Sequence, residues 1–212
     1  MKAFIFDLDG VLVFTDRFHF QAWKTIADRM GISFDESVND RLRGISRAES
    51  LEIILEKYDK ALLSDSEKRD LLEEKNQIYR KYLSGMTPEH VSPEVRETLL
   101  SLREAGFKLA VGSSSKNAIF ILEQTGLMDI FDAIADGNHI TRSKPDPEVF
   151  LKAAEYLGVE PADCMVVEDA YAGIEAARAA GMKTAGIGTA SGDERADYKI
   201  QSFRELLKIA GI

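Results

Sequence analysis

A chain of 212 residues, 45% hydrophobic and 30% charged, has apolar material for one sizeable core, or for one core with a small insertion. Its net charge of −9 suits neither a surface that neutralises a nucleic-acid backbone nor general nucleic-acid binding, while a small phosphorylated ligand needs only a few basic side chains and stays open. The single Cys164 excludes an internal disulfide, and its place in the apolar run Met165, Val166, Val167 reads as a buried small hydrophobe.

The first element is the apolar run Ala3, Phe4, Ile5, Phe6, which reads as a buried strand and ends on Asp7-Leu8-Asp9-Gly10. Alone, that ending is equally a turn, because Asp and Asp-Gly are common in turns. From about Phe14 to Leu83 the period is helical: Phe18, Ala22, Trp23, Ile26, Ala27 and Met30 recur at three- and four-residue spacing, with Gly31 as a stop. Leu51, Ile54 and Leu55 continue it, as does the charged stretch from Ser66 to Leu83. From Gly85 onward helices alternate with short apolar strands. The helix from Pro93 to Ala105 precedes "FKLAVGSSS", that from Asn117 to Thr125 precedes "DAIAD", that from Pro147 to Leu157 precedes "CMVVED", and that from Ala172 to Ala180 precedes "KTAGIG". Gly106, Gly126, Gly158 and Gly181 stand where left-handed helix caps belong. The expected architecture is an α/β fold with a doubly wound parallel sheet in residues 1–14 and 84–212, carrying an inserted helical cap in residues 15–83.

Open parallel sheets bind ligands outside the carboxyl ends of their strands. Those ends here offer Asp7 and Asp9, Ser113 through Asn117, Ser143-Lys144-Pro145-Asp146 and Glu168-Asp169. Carboxylates crowded together repel, so a divalent cation is their natural neutraliser, and all-oxygen ligands beside phosphate point to Mg²⁺. Ion pairing of Lys144 with the acids is the alternative reading. Charges interrupt every long apolar run, so no membrane span or targeting segment is read, and the reduced cytoplasm is the expected compartment.

The set Asp7-x-Asp9-Gly10-Val11, a serine at the second strand end, Lys144 before Pro145 and Glu168-Asp169 resembles the haloacid dehalogenase superfamily. Within it, "DLDGV", "HFQAWK", "LRGISRAESL", "SSSKN", "SKPDP" and "EDAYAGIEA" are similar to segments of the β-phosphoglucomutase family. The resemblance implies that Asp7 is the nucleophile and a metal ligand, and that Asp9 is general acid and base with its backbone carbonyl on the metal. It further implies that Asp169 completes the Mg²⁺ ligands with Glu168 in support, and that Ser113 and Lys144 hold the transferring phosphoryl group.

A mutase that works through a sugar bisphosphate must also grip the phosphate that is not reacting. The resemblance assigns that grip to Ser115, Lys116 and Asn117 with Arg47 of the helical segment, places Arg43 beside it and puts His19 near the sugar; closure over the substrate would exclude water. Taken singly, Arg47 is a solvated helix charge and His19 an ordinary core or surface histidine, the reading that His90 and His139 keep. The chain departs from the family at Arg43, where lysine is usual, and at Phe14, where many relatives carry an acid. The expected activity is interconversion of β-glucose 1-phosphate and glucose 6-phosphate through an aspartyl-phosphate and β-glucose 1,6-bisphosphate. A monomer acting on a hexose phosphate is expected, with no nucleic-acid or membrane partner. A sugar-phosphate phosphatase with the same Asp7 is the alternative, and a sugar-phosphate binding protein without turnover is the non-enzymatic one.

Overall fold

Ala3–Phe6 carries no polar residue on either side of its pleat, and all four side chains are fully buried in the computed structural model, which describes residues 1–42, 45–58 and 62–212. A strand apolar on both faces belongs in the middle of a sheet covered by helices on both sides. That is its position among the described strands β1 (Ala3–Phe6), β2 (Lys108–Gly112), β3 (Ala133–Ala135), β4 (Cys164–Glu168), β5 (Lys183–Gly186) and β6 (Tyr198–Lys199). They run parallel in the order β3-β2-β1-β4-β5-β6. Phe6 pairs with Val111 on one side and Val167 on the other. The residues that follow, Asp7, Gly112 and Glu168, therefore come level at the carboxyl edge, and the strand order reverses between β1 and β4, where such sheets open a ligand crevice.

Alternation along β1 sends its side chains into two cores. Ala3 and Ile5 join Ala110 and Val166 against Val149, Phe150 and Ala153 of α7 (Glu148–Leu157) and Ala176 and Ala177 of α8 (Tyr171–Ala179). Phe4 and Phe6 face the other way into an aromatic cluster with Phe107, Phe131 and Phe203, at ring separations of 5.3, 6.2 and 5.6 Å. Each such ring contributes roughly 1.5–3 kcal/mol by leaving water. Helices α5 (Pro93–Glu104), α6 (Ala118–Thr125) and α9 (Glu205–Ala210) complete this unit, which comprises Met1–Phe14 and Met86–Ile212. Gly106, Gly126, Gly158 and Gly181 all have positive φ at or just beyond helix ends, as the sequence leads one to expect. Cys164 is buried, and burial, with Asp163 adding to it, pushes its thiol up to about 11, so little thiolate exists at neutral pH.

The second unit, Thr15–Gly85, holds α1 (Asp16–Met30), α2 (Glu36–Asp40), α3 (Arg47–Leu55) and α4 (Asp65–Leu83) around Trp23, Ile26, Leu51, Ile54 and Leu71. Reciprocal bonds between Ser46 and Glu49, and between Ser64 and Glu67, start α3 and α4 by satisfying their first free N–H groups. The brief elements β6 and α9 escaped the sequence reading, since their short runs carry little periodicity, and α2 was covered only as part of the helical stretch.

Close packing at the end of β2 depends on a missing side chain. A Cβ at Gly112 would lie 2.7 Å from the Phe150 ring and 3.1 Å from Ile5. Gly112→Ala should therefore cost about 1–3 kcal/mol of stability through overpacking, read as a lower urea midpoint with unchanged slope; an unchanged midpoint would show that α7 moves aside freely.

Candidate active site

Asp7 follows β1 directly, and its N–H extends the ladder by donating to the Val167 carbonyl at 3.0 Å. Its carboxylate is buried at the crevice and accepts a hydrogen bond from Lys144 Nζ, which also donates to Glu168 Oε1 at 2.6 Å. All three side chains are less than a tenth exposed. Lys144 comes from the segment between β3 and α7, and its ammonium lies 4.6 Å from the centre of the Phe150 ring, adding a cation–π contact. Glu168 turns its second oxygen to the Ala170 N–H at 2.8 Å. Its side chain fills the space where a Cβ at residue 173 would stand, so only Gly173 fits there.

The charges decide what this site can hold. Burial pushes the Asp7 carboxyl well up; Lys144 opposes that shift, and Glu168, Asp169 and Asp9 add to it. Burial alone would lower the Lys144 ammonium, but Asp7 and Glu168 outweigh it and hold the group charged. Asp169 packs its carboxylate against Gly10, whose φ of +89° and lack of Cβ both admit it. Gly10 also closes the turn of Asp9 by donating to the Val13 carbonyl at 2.7 Å. Among the described residues no three His, Cys, Asp or Glu side chains form a ready ligand cluster, and Lys144 stands between Asp7 and Glu168. The donors are all oxygen and the acids outnumber the one ammonium, which suits a hard divalent cation.

Beyond β2 the backbone winds through two serine turns. Buried Ser113 accepts the Ser115 N–H on Oγ at 3.1 Å, and Ser115 accepts the Asn117 N–H at 3.2 Å. Asn117 is buried and precedes α6, while Lys116 is exposed. Asp7, Asp9, Ser113, Lys144, Glu168 and Asp169 are thus brought to one edge of the sheet by four separate chain segments.

In the helical unit, His19 lies on α1 and Arg47 opens α3. Arg47 Nη1 donates to the Leu72 carbonyl at 3.2 Å, and burial lowers its guanidinium from the ordinary value. His19 is held well below its ordinary pKa, by burial first and then by the positive charges of Lys75 and Arg47. Lys75 Nζ sits 2.8 Å from His19 Nδ1 and over the Tyr79 and Trp23 rings at 4.5 and 5.1 Å. Lys75 is a residue that the sequence reading missed, although a signal was present: it occupies the buried stripe Leu71, Lys75, Tyr79, Leu83 of α4. Arg43 lies outside the described residues.

The family model for haloacid dehalogenase-like hydrolases matches residues 1–181. This chain belongs to that family. Within the haloacid dehalogenase-like hydrolases it is 43% identical to the beta-phosphoglucomutase of Bacillus subtilis (strain 168), over 97% of this chain and 92% of that protein. A crystal structure of beta-phosphoglucomutase from Clostridium difficile superposes with a TM-score of 0.90 at 39% identity, covering 97% of this chain and 93% of that one. The phosphorylated carbohydrates phosphatase of Thermotoga maritima is 32% identical over 86% of this chain and 83% of its own.

The buried trio makes this haloacid dehalogenase-like core sensitive to loss of its lysine. Lys144→Met leaves two buried carboxylates without their cation and should cost about 3–5 kcal/mol in a urea melt at pH 7. Asp7 already carries a raised carboxyl in the fold. The loss should therefore shrink as the pH falls and the carboxyl takes up its proton; a loss that is the same at pH 7 and pH 4 would show that it comes from packing and not charge.

Proposed function

We propose that this chain is a magnesium-dependent β-phosphoglucomutase, interconverting β-glucose 1-phosphate and glucose 6-phosphate by way of β-glucose 1,6-bisphosphate. The observation that carries the reading is 43% identity to a beta-phosphoglucomutase along nearly the whole of both chains, against 32% for the phosphatase. Supporting it, the residues at the carboxyl edge have the chemistry that phosphoryl transfer requires.

In this reading an Asp7 oxygen attacks the phosphorus of the bound bisphosphate. The Asp7 O–P bond forms as the P–O bond to the sugar breaks, and the leaving oxygen takes its proton from the Asp9 carboxyl. The glucose 6-phosphate so formed leaves, and Asp9 then removes a proton from the C6 hydroxyl of β-glucose 1-phosphate, which attacks the aspartyl-phosphate as the Asp7 O–P bond breaks, restoring the bisphosphate. Lys144, already charged and gripping Asp7, neutralises the transferring group. Ser113 Oγ accepts from the Ser115 N–H, which leaves its own hydroxyl proton to donate to a phosphoryl oxygen. Mg²⁺ would be held by Asp7, Asp169 and the Asp9 carbonyl with Glu168 in support, and when bound it supplies charge neutralisation of the phosphoryl oxygens. Ser115, Lys116 and Asn117 are assigned to the phosphate that does not react, with Arg47, Arg43 and His19 as the contributions of the helical unit to substrate recognition.

The substrate in this proposal is a small hexose phosphate handled by a cytoplasmic monomer. Among the described residues no helix is long and apolar enough to cross a membrane.

Coupled assay with each glucose 1-phosphate anomer, with and without a bisphosphate primer, should show primed turnover of the β anomer. Inorganic phosphate release that outpaces isomerisation would give first place to the phosphatase. Asp7→Asn should abolish both phosphoenzyme and turnover. Asp9→Asn should keep metal binding through its carbonyl but lose about 10²- to 10⁴-fold in rate; a wild-type rate would remove Asp9 from its role.

Metal removal separates site from scaffold. Chelation should stop turnover while the far-UV circular dichroism stays native, and Mg²⁺ at 100 times its Kd should stabilise the fold by about 2.7 kcal/mol. Unfolding on chelation would make the cation a structural one.

A further inference from the structure

One buried carboxylate at the same edge has no part in the reaction just proposed. Asp136 follows β3 and is fully buried. Its Oδ1 accepts the Asn138 N–H at 2.8 Å and lies 2.8 Å from His139 Nδ1, while its Oδ2 accepts from Asn138 Nδ2 at 3.1 Å. The same Asn138 Nδ2 donates to the Lys116 carbonyl at 3.1 Å, so one exposed carboxamide links a buried acid to the neighbouring loop.

Two backbone bonds run beside that link: Ser113 N–H to the Ala135 carbonyl at 3.0 Å, and Gly137 N–H to the Ser115 carbonyl at 3.2 Å. The loops touch so closely that a Cβ at residue 137 would run into the Ser114 carbonyl and stand 3.0 Å from Lys116 N. Because a trans peptide is planar, fixing a carbonyl fixes the N–H that follows it on the opposite side. The Ser115 carbonyl is held by Gly137, so the Lys116 N–H points away from the 136–139 turn. The Lys116 carbonyl is held by Asn138, and its plane is pinned again by the Asn117 N–H to Ser115 Oγ bond.

We propose that Asp136 and Asn138 are positioning residues that hold the Ser115–Asn117 segment in the form that receives the non-reacting phosphate. This rests on the assignment of that segment under the proposed function. Asp136 acts by orienting Asn138, and Asn138 acts by donating to Lys116; neither touches substrate. Preorganised donors bind an anion better than donors that must first be ordered, since the ordering entropy is already spent. The role needs an N–H donor at 138. Aspartate is as good a turn former as asparagine, but it would present an acceptor to the Lys116 carbonyl and to the Asp136 carboxylate.

Asn138 is exposed, so Asn138→Ala and Asn138→Asp leave the core intact. Calorimetric titration with glucose 6-phosphate should show binding about threefold to tenfold weaker in Asn138→Ala, the worth of one lost hydrogen bond, and at least as weak in Asn138→Asp. The KM for β-glucose 1-phosphate should rise with kcat unchanged within about twofold. Phosphorylation of Asp7 by acetyl phosphate, which carries one phosphoryl group and has no use for a second grip, should match wild type. Wild-type affinity in Asn138→Asp would reduce residue 138 to a turn former and overturn the inference, as would an equal loss in acetyl phosphate labelling. A wild-type chain that binds glucose 6-phosphate but only hydrolyses it would overturn the mutase reading, and the affinities of the two variants would still decide this one. No binding of glucose 6-phosphate by wild type would remove the assignment of the segment and the inference with it.

Discussion

Lys144 between Asp7 and Glu168 is the interaction on which the rest of the catalytic unit depends. A carboxylate at the end of the central strand is shut away from water, and moving it there costs several kcal/mol unless a cation comes with it. The ammonium answers two such carboxylates, one directly after β1 and one at the end of β4, and the parallel register brings both to its level. In the proposed reaction what is costly for folding would serve the chemistry, because a charge held in place beside a dry carboxylate needs no reorganisation when phosphoryl charge develops.

The surroundings of that trio are shaped by residues with no chemistry of their own. Phe150 lies under the lysine ammonium and is admitted there by Gly112, while Gly173 makes room for Glu168 and Gly10 for Asp169. Each of these glycines is explained by what occupies the place of its missing side chain. The 136–139 turn shapes the neighbouring loop through hydrogen bonds instead, holding the carbonyls of Ser115 and Lys116.

The helical unit poses its own electrostatic problem. Lys75 and Arg47 bring two positive groups to neutral His19 inside a chain whose net charge is −9. Aromatic faces of Trp23 and Tyr79 lie beside the lysine, and His19 is kept neutral by burial and by these cations.

Much of this protein was legible in its sequence, for physical reasons that differ by element. An apolar run without alternation marked β1 as buried, three- and four-residue spacing marked α1, and glycines at helix ends marked the caps, because each is a local consequence of backbone geometry. Asp7, Lys144, Glu168 and Asp169 were legible as a set, since every one ends or follows a strand or precedes a helix at the edge where such sheets bind ligands. Strand order, the pairing of Lys144 with two acids, the burial of Lys75 against His19 and the link from Asp136 through Asn138 to Lys116 were decided only by the tertiary structure. The bonds from Asn138 to Lys116 and from Lys144 to Asp7 join residues 22 and 137 positions apart, and no local preference of the chain encodes which distant partner meets a buried polar group; packing chooses it, because a buried charge left unpaired is costly.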